Sequence, residues 1–156
     1  MKIKVINADF NEETGISTVT IKTPLGDFTG EAILHPEDAP SRFRGCRLAE
    51  LRADVKYLKA YRKQFRNELN GLNKLVGRMS SYRNYNYNSI EAISVRKAIE
   101  ETKHQINKLS IQITLYQKEI NECVAADENK FLKHVEFLRR KEAARQEALE
   151  RQNNNE

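Results

Sequence analysis

The sequence predicts an α+β fold: an N-terminal three-stranded antiparallel β-meander followed by a long antiparallel helical hairpin packed as a coiled coil. Three observations lead there. The first 35 residues alternate with period two around the turn formers Gly15, Pro24 and Gly26, a strand signature. Two later runs repeat with the 3–4 spacing of a coiled-coil seam. A polar, tyrosine-rich segment separates those runs.

Taken in order, Lys2–Phe10 reads as a strand, Asn11–Gly15 as a turn and Ile16–Thr23 as a second strand. Pro24-Leu25-Gly26-Asp27 supplies the next turn, Pro presetting φ and Gly accepting a positive one. Phe28–Leu34 makes the third strand. Ile3, Val5, Val19, Ile21, Phe28 and Leu34 form its candidate apolar face. So small a sheet must cover that face with a helix. Residues 1–40 thus make the meander and its linker, ending at His35-Pro36-Glu37-Asp38-Ala39-Pro40, where two prolines forbid helix.

Ser41 is the expected N-cap of a first helix over about 41–79. Its seam is Leu48, Leu51, Val55, Leu58, Arg62, Phe65, Leu69, Leu72, Val76 and Met79. Gly71 and Gly77 fall on its outer face, each costing about 1 kcal/mol against Ala. Residues 80–89 form the tip, with Ser89 or Asn88 as cap. A second helix then runs over about 90–145, followed by a frayed tail at 146–156. Its seam is Ala92, Val95, Ile99, Thr102, Ile106, Leu109, Ile113, Tyr116, Ile120 and Cys123. Beyond it the stripe passes through Val124, Phe131, Val135 and Leu138 with an 11-residue step, a stutter or a break near Asp127. A ten-residue connector requires the helices to run antiparallel.

Composition fits solvated helices better than a thick globular core: 39% apolar, 31% charged and no Trp in 156 residues. Cys46 and Cys123 have no CxxC or zinc spacing and read as small buried or half-buried thiols in a reducing compartment. MKIKVINADF lacks the apolar h-region of a signal peptide, and no run approaches a membrane span. A cytoplasmic protein is expected.

Net charge is +5, concentrated in one block. Residues 1–40 carry three Lys/Arg against seven Asp/Glu, whereas residues 41–66 carry nine against two. Arg62 is the single charge in the seam, opposite Leu109, either snorkelling or fixing register. The flanking positions Arg52, Lys59, Arg66, Arg96 and Lys103 line one edge without acidic partners. Together with Arg42, Arg44, Arg47 and Lys56 they form a basic edge, which is either solvated surface or a site for an anionic partner. Ile111, Leu115, Tyr57, Tyr61 and Leu75 lie off the seam and call for a third surface: the sheet, the Phe131–Leu138 segment or a second protomer. At the tip, Tyr82, Arg83, Tyr85 and Tyr87 interleave with asparagines, as a recognition loop or as a plug for the hairpin's open end.

No phosphate-loop, dinucleotide, nucleophile-elbow or HExxH motif is present, and His35, His104 and His134 have no His or Cys at ligand spacing. Neither a cofactor nor a metal is expected, and the chain does not read as an enzyme. The strings ADFNEETGISTVTIKTPLGDFTGEAILHPED and FRGCRLAELRA make residues 1–55 resemble small uncharacterised proteins of phages and prophages of Gram-positive bacteria. The resemblance implies an accessory product acting inside the host cell, of a kind that often inhibits or adapts host machinery. The expected function is therefore non-enzymatic binding of a host protein through the coiled-coil arm. Two alternatives stand beside it: nucleic-acid binding by the basic start of the first helix, and self-assembly, with a homodimer favoured.

Overall fold

In this computed structural model residues 3–33 and 42–153 are described. The linker, Leu34 and the expected cap Ser41 lie outside the described residues. So do the side chains of Arg42, Phe131, Val135 and Leu138. Three strands, β1 (Lys4–Asn11), β2 (Ile16–Thr23) and β3 (Gly26–Ile33), precede two helices, α1 (Arg42–Ser80) and α2 (Ile90–Asn153). The strands form one antiparallel sheet in the order β1-β2-β3.

Both turns follow from local chemistry. Asn11 Oδ1 accepts from the amides of Glu13 (2.9 Å) and Thr14 (3.1 Å), and Gly15 closes the loop at φ 65°. Thr23 Oγ1 donates to the Gly26 carbonyl (2.7 Å) and accepts from Leu25 N (3.2 Å), while Gly26 takes φ 113°. Side chains with a hydroxyl or amide thus do the work of the backbone at each bend.

The inner face of β2 is Ser17, Val19, Ile21 and Thr23, all buried. Helix α1 lies mainly over this face and over β3 and only marginally over β1. Its contact ridge is small: Gly45, Ala49 and Ala53, spaced four apart so that they share one face. Ala49 and Ala53 are fully buried, and Gly30 of β3 sits against their backbone. A Cβ on Gly30 would collide with the Ala49 carbonyl oxygen and lie 2.5 Å from the Ala53 nitrogen. A Cβ on Gly45 would likewise strike Ser17 Oγ, a buried hydroxyl without a hydrogen-bond partner among the described residues.

Because α1 covers β2 and β3, the expected sheet face is only partly buried. Val19 and Ile21 are core and Phe28 packs against it, but Ile3 (47% exposed) and Val5 (42%) stay open. A β-bulge between Val5 and Asn7 departs from the period-two alternation.

The hairpin forms as the heptads require. Every one of the seam positions on both helices is buried or half-buried. Arg62 reaches across and donates to Ser110 Oγ (3.1 Å), so the seam's one charge ends on a hydroxyl of the partner helix. Tyr57 and Tyr61 find their third surface: Phe28 meets Tyr57 edge-on (centroids 5.7 Å), Tyr57 stacks on Tyr61 (5.7 Å), and Tyr61 tilts against Phe65 (5.0 Å). Helix α2 is unbroken through Asp127 and reaches Asn153 rather than ending near Arg145. The Arg47–Glu119 ion pair (3.0 Å) sets the start of α1 level with about residue 124. The last turns of α2 therefore run roughly 40 Å past it.

Overpacking costs about 1–3 kcal/mol, and more where the obstacle is backbone that cannot yield. Gly30→Ala should lower stability by at least that much in chemical denaturation. Gly71→Ala, where a Cβ meets nothing within 4 Å, should raise it by about 0.5–1 kcal/mol.

Candidate functional site

Several residues of the basic edge expected from sequence donate within the chain. Arg52 and Lys56 are four apart on α1, about 6 Å along the axis. The carbonyls of Glu31 and Thr29 on the outer edge of β3 are two residues apart, also about 6.6 Å. The two spacings match, and Arg52 Nη1 donates to Glu31 O and Lys56 Nζ to Thr29 O, each at 2.6 Å. It is main-chain oxygen, not the sheet's carboxylates, that takes up these cations. Arg47 is shared by Glu50 (3.1 Å) and Glu119 (3.0 Å). Burial opposes its charge, but the bonds to Glu119 and Glu50 outweigh it and hold the guanidinium above its ordinary pKa. Lys103 pairs with Glu100 (2.7 Å). Arg44, Lys59 and Arg66 are exposed, and Arg42 is described only in its backbone. Lys59 shares an open groove of about 660 Å³ with Arg52, Lys56, Glu31, Gln117 and Asn121.

Arg96 belongs elsewhere. Its guanidinium lies 3.5 Å over the Tyr87 ring and donates to the Tyr87 carbonyl. Its Nε also donates to Ala92 O (3.2 Å). One side chain thus ties the tip loop to the first turns of α2. The loop is otherwise closed by its own backbone, Tyr82 N to Met79 O (3.2 Å), Tyr85 N to Tyr82 O (3.0 Å) and Ser89 N to Asn86 O (3.0 Å). Asn86 Oδ1 accepts from Asn88 N (2.9 Å), and Ser89 caps α2 by accepting from Ala92 N (3.2 Å). Ser81 Oγ donates to the Arg78 carbonyl (2.7 Å) at the end of α1.

The tip tyrosines differ in exposure. Tyr85 is half-buried. Tyr82 (70% exposed) and Tyr87 (60%) face outward, close in sequence to Ile90 (83%) and Ile93. Arg83 is exposed beside them. Past Phe65 neither helix adds to the main core, so this cluster stands at the end of an arm whose α1 portion is roughly 22 Å long. Sequence reading missed Ile90 and Ile93. Both lie outside the a/d seam, and that absence of a partner was the available signal.

No family model, curated protein or solved structure matches the chain. Among the described residues no group of three His, Cys, Asp or Glu is arranged to hold a metal, and no helix is long and apolar enough to cross a membrane. Cys46 and Cys123 are half-buried and unbridged.

A second concave feature lies between β1 and the helices. This groove of about 400 Å³ is lined by Ile3, Val5, Tyr57, Tyr61 and Tyr116, with Asp54 and Glu50 on its wall. Desolvation raises the Asp54 pKa, and the nearby Glu50 charge adds to this against a smaller opposing effect of Arg47. A carboxyl whose folded pKa is raised binds protons more tightly in the folded state. Stability therefore falls as pH climbs from the unfolded value toward the folded one, and is level above it. Asp54→Asn should flatten that part of the stability–pH curve and stabilise the protein at neutral pH, as urea titrations across pH 3–7 would read.

Proposed function

We propose that this chain is a non-enzymatic binding protein whose helical arm presents its tip to a protein partner. The observation that carries the reading is the clamp of Arg96 on Tyr87, which fixes the loop while Tyr82, Tyr87, Ile90 and Ile93 remain uncovered. Tyrosines held in place offer large contact area at little entropic cost, which is the composition and preorganisation of an interaction hot spot. A solvated loop has no need of such a clamp. The resemblance of residues 1–55 to phage and prophage proteins makes a host protein the partner and an accessory, inhibitory role the outcome of binding. Nucleic acid is the weaker alternative, because Arg47, Arg52, Lys56 and Lys103 each already donate within the chain.

The test is capture of a partner from Gram-positive host cells by wild type, by Tyr82→Ala/Tyr87→Ala, by Arg96→Ala and by Ile111→Ala, which changes an exposed site on α2 away from the tip. The double variant should recover at least about tenfold less of the same partner. Arg96→Ala should show a smaller loss, and Ile111→Ala none. Equal recovery by wild type and the double variant would remove the tip from consideration.

A further inference from the structure

We infer that two copies of this chain pair through their β1 strands, antiparallel and about a two-fold axis, in one register that sets Lys4 of each copy against Asp9 of the other.

The sheet has two edges and they are treated differently. On β3 the outward carbonyls of Thr29 and Glu31 are taken by Lys56 and Arg52. On β1 no side chain of the described residues bonds the outer edge, which runs for eight residues. An uncovered strand edge is a template for another strand, and natural sheets that must stay single blunt it. This one is blunted on one side only. Ile3 just before the open strand and Val5 and Ile6 on it are exposed, and a groove lined mainly by Val5, Ala8, Val19, Phe43 and Cys46, with Arg47 and Glu50 on its wall, opens beneath it.

The bulge selects the register. Cross-strand partners show that Val5, Ala8 and Phe10 share the inner face, opposite Ile21, Val19 and Ser17. Lys4, Asn7, Asp9 and Asn11 share the outer face, opposite Lys22, Thr20, Thr18 and Ile16. The inserted Ile6 therefore shifts the parity of the strand halfway along. When two β1 strands lie antiparallel, inner residues meet inner residues on both sides of the bulge in one alignment, with the two bulges together. Ile3 then faces Phe10, Val5 faces Ala8, and Lys4 faces Asp9, each twice by symmetry. A slip of two residues one way sets the inner Ala8 against the outer Asn7. The opposite slip sets Val5 against the inserted Ile6, and either slip separates Lys4 from Asp9.

Charge supports the same alignment. Within one copy Lys4 stands opposite Lys22, a like-charge pair. Neither Lys4 nor Asp9 has an ion-pair partner among the described residues. Pairing gives Lys4 an anion on its open side and Asp9 a cation. A second copy of this chain is the occupant these observations specify, since only the chain's own strand carries the matching bulge and the reciprocal charges.

Sedimentation of the full chain at high micromolar concentration and low salt tests this. Wild type should show twice the 18.1 kDa of one chain. Lys4→Glu sets two carboxylates against each other at both symmetry-related sites, and Asp9→Lys sets two ammonium groups there. Each variant alone should therefore weaken the dimer about tenfold or more. An equal mixture of the two variants restores opposite charges at both sites and should recover the dimer. The doubly swapped Lys4→Glu/Asp9→Lys chain should dimerise with itself, which guards against loss of folding in a single variant. A monomeric wild type, single variants that dimerise as tightly as wild type, or a mixture and a swapped chain that both stay monomeric would each overturn the inference. None of these outcomes bears on the arm tip.

Discussion

Only a hydrogen atom separates Gly30 of β3 from the main chain of α1 at Ala49 and Ala53, and the helix consequently lies on the sheet closer than any side chain would allow. Much follows from that distance. It is short enough for Arg52 and Lys56 to reach around the strand to its outward carbonyls. It also occupies the small face of α1, leaving Leu51, Val55 and Leu58 to face α2. One helix can then serve two neighbours in a chain with few apolar residues. The sheet supplies the shelf, α1 the shared wall, and α2 packs along α1. Tyr57 and Tyr61 close the side where small residues give way to large ones, through the aromatic series that begins at Phe28.

How much of this was legible in the sequence differs by element. The hairpin was read correctly because a heptad seam is written in side chains, one stripe per helix, and the polar connector leaves one way to fold it. The turns are legible for the same reason, since Asn11, Gly15 and Gly26 act locally, although the second loop is only Pro24-Leu25 and β3 begins at Gly26 rather than Phe28. The seating of α1 on the sheet was not read, although Gly45, Ala49 and Ala53 stand four apart and Gly30 is in a strand, where glycine marks close approach. The sequence does not show that Arg52 and Lys56 of the basic edge end on carbonyl oxygens of β3, or that Arg47 meets Glu119, because these bonds are made in three dimensions. Ile3 and Val5 have the right alternation for core, but α1 lies off to one side. The bulge at Ile6 has no letter of its own, and Arg96 was assigned by heptad position to the edge when its length carries it to the tip.

The tip and the base of the molecule are ordered in opposite ways. At the base, burial is dense and the groups near the core, such as Asp54 and Arg47, feel one another. At the tip the backbone is closed by short-range hydrogen bonds and one cation–π contact, with apolar side chains left in water. Order there is local and does not depend on a core. A loop fixed in this way loses little freedom on contact, which is where much of the cost of binding otherwise falls.

Covering one sheet edge and leaving the other open also limits growth. A sheet with two open edges adds copies end to end, as fibres do. Here two outward carbonyls of β3, those of Thr29 and Glu31, are taken by α1 of the same chain, so β1 is the edge left for another strand. Pairing of two copies through β1, as inferred above, would be isologous and would stop at two. Arg52 and Lys56 would then act as terminators, allowing a pair and blocking an endless stack.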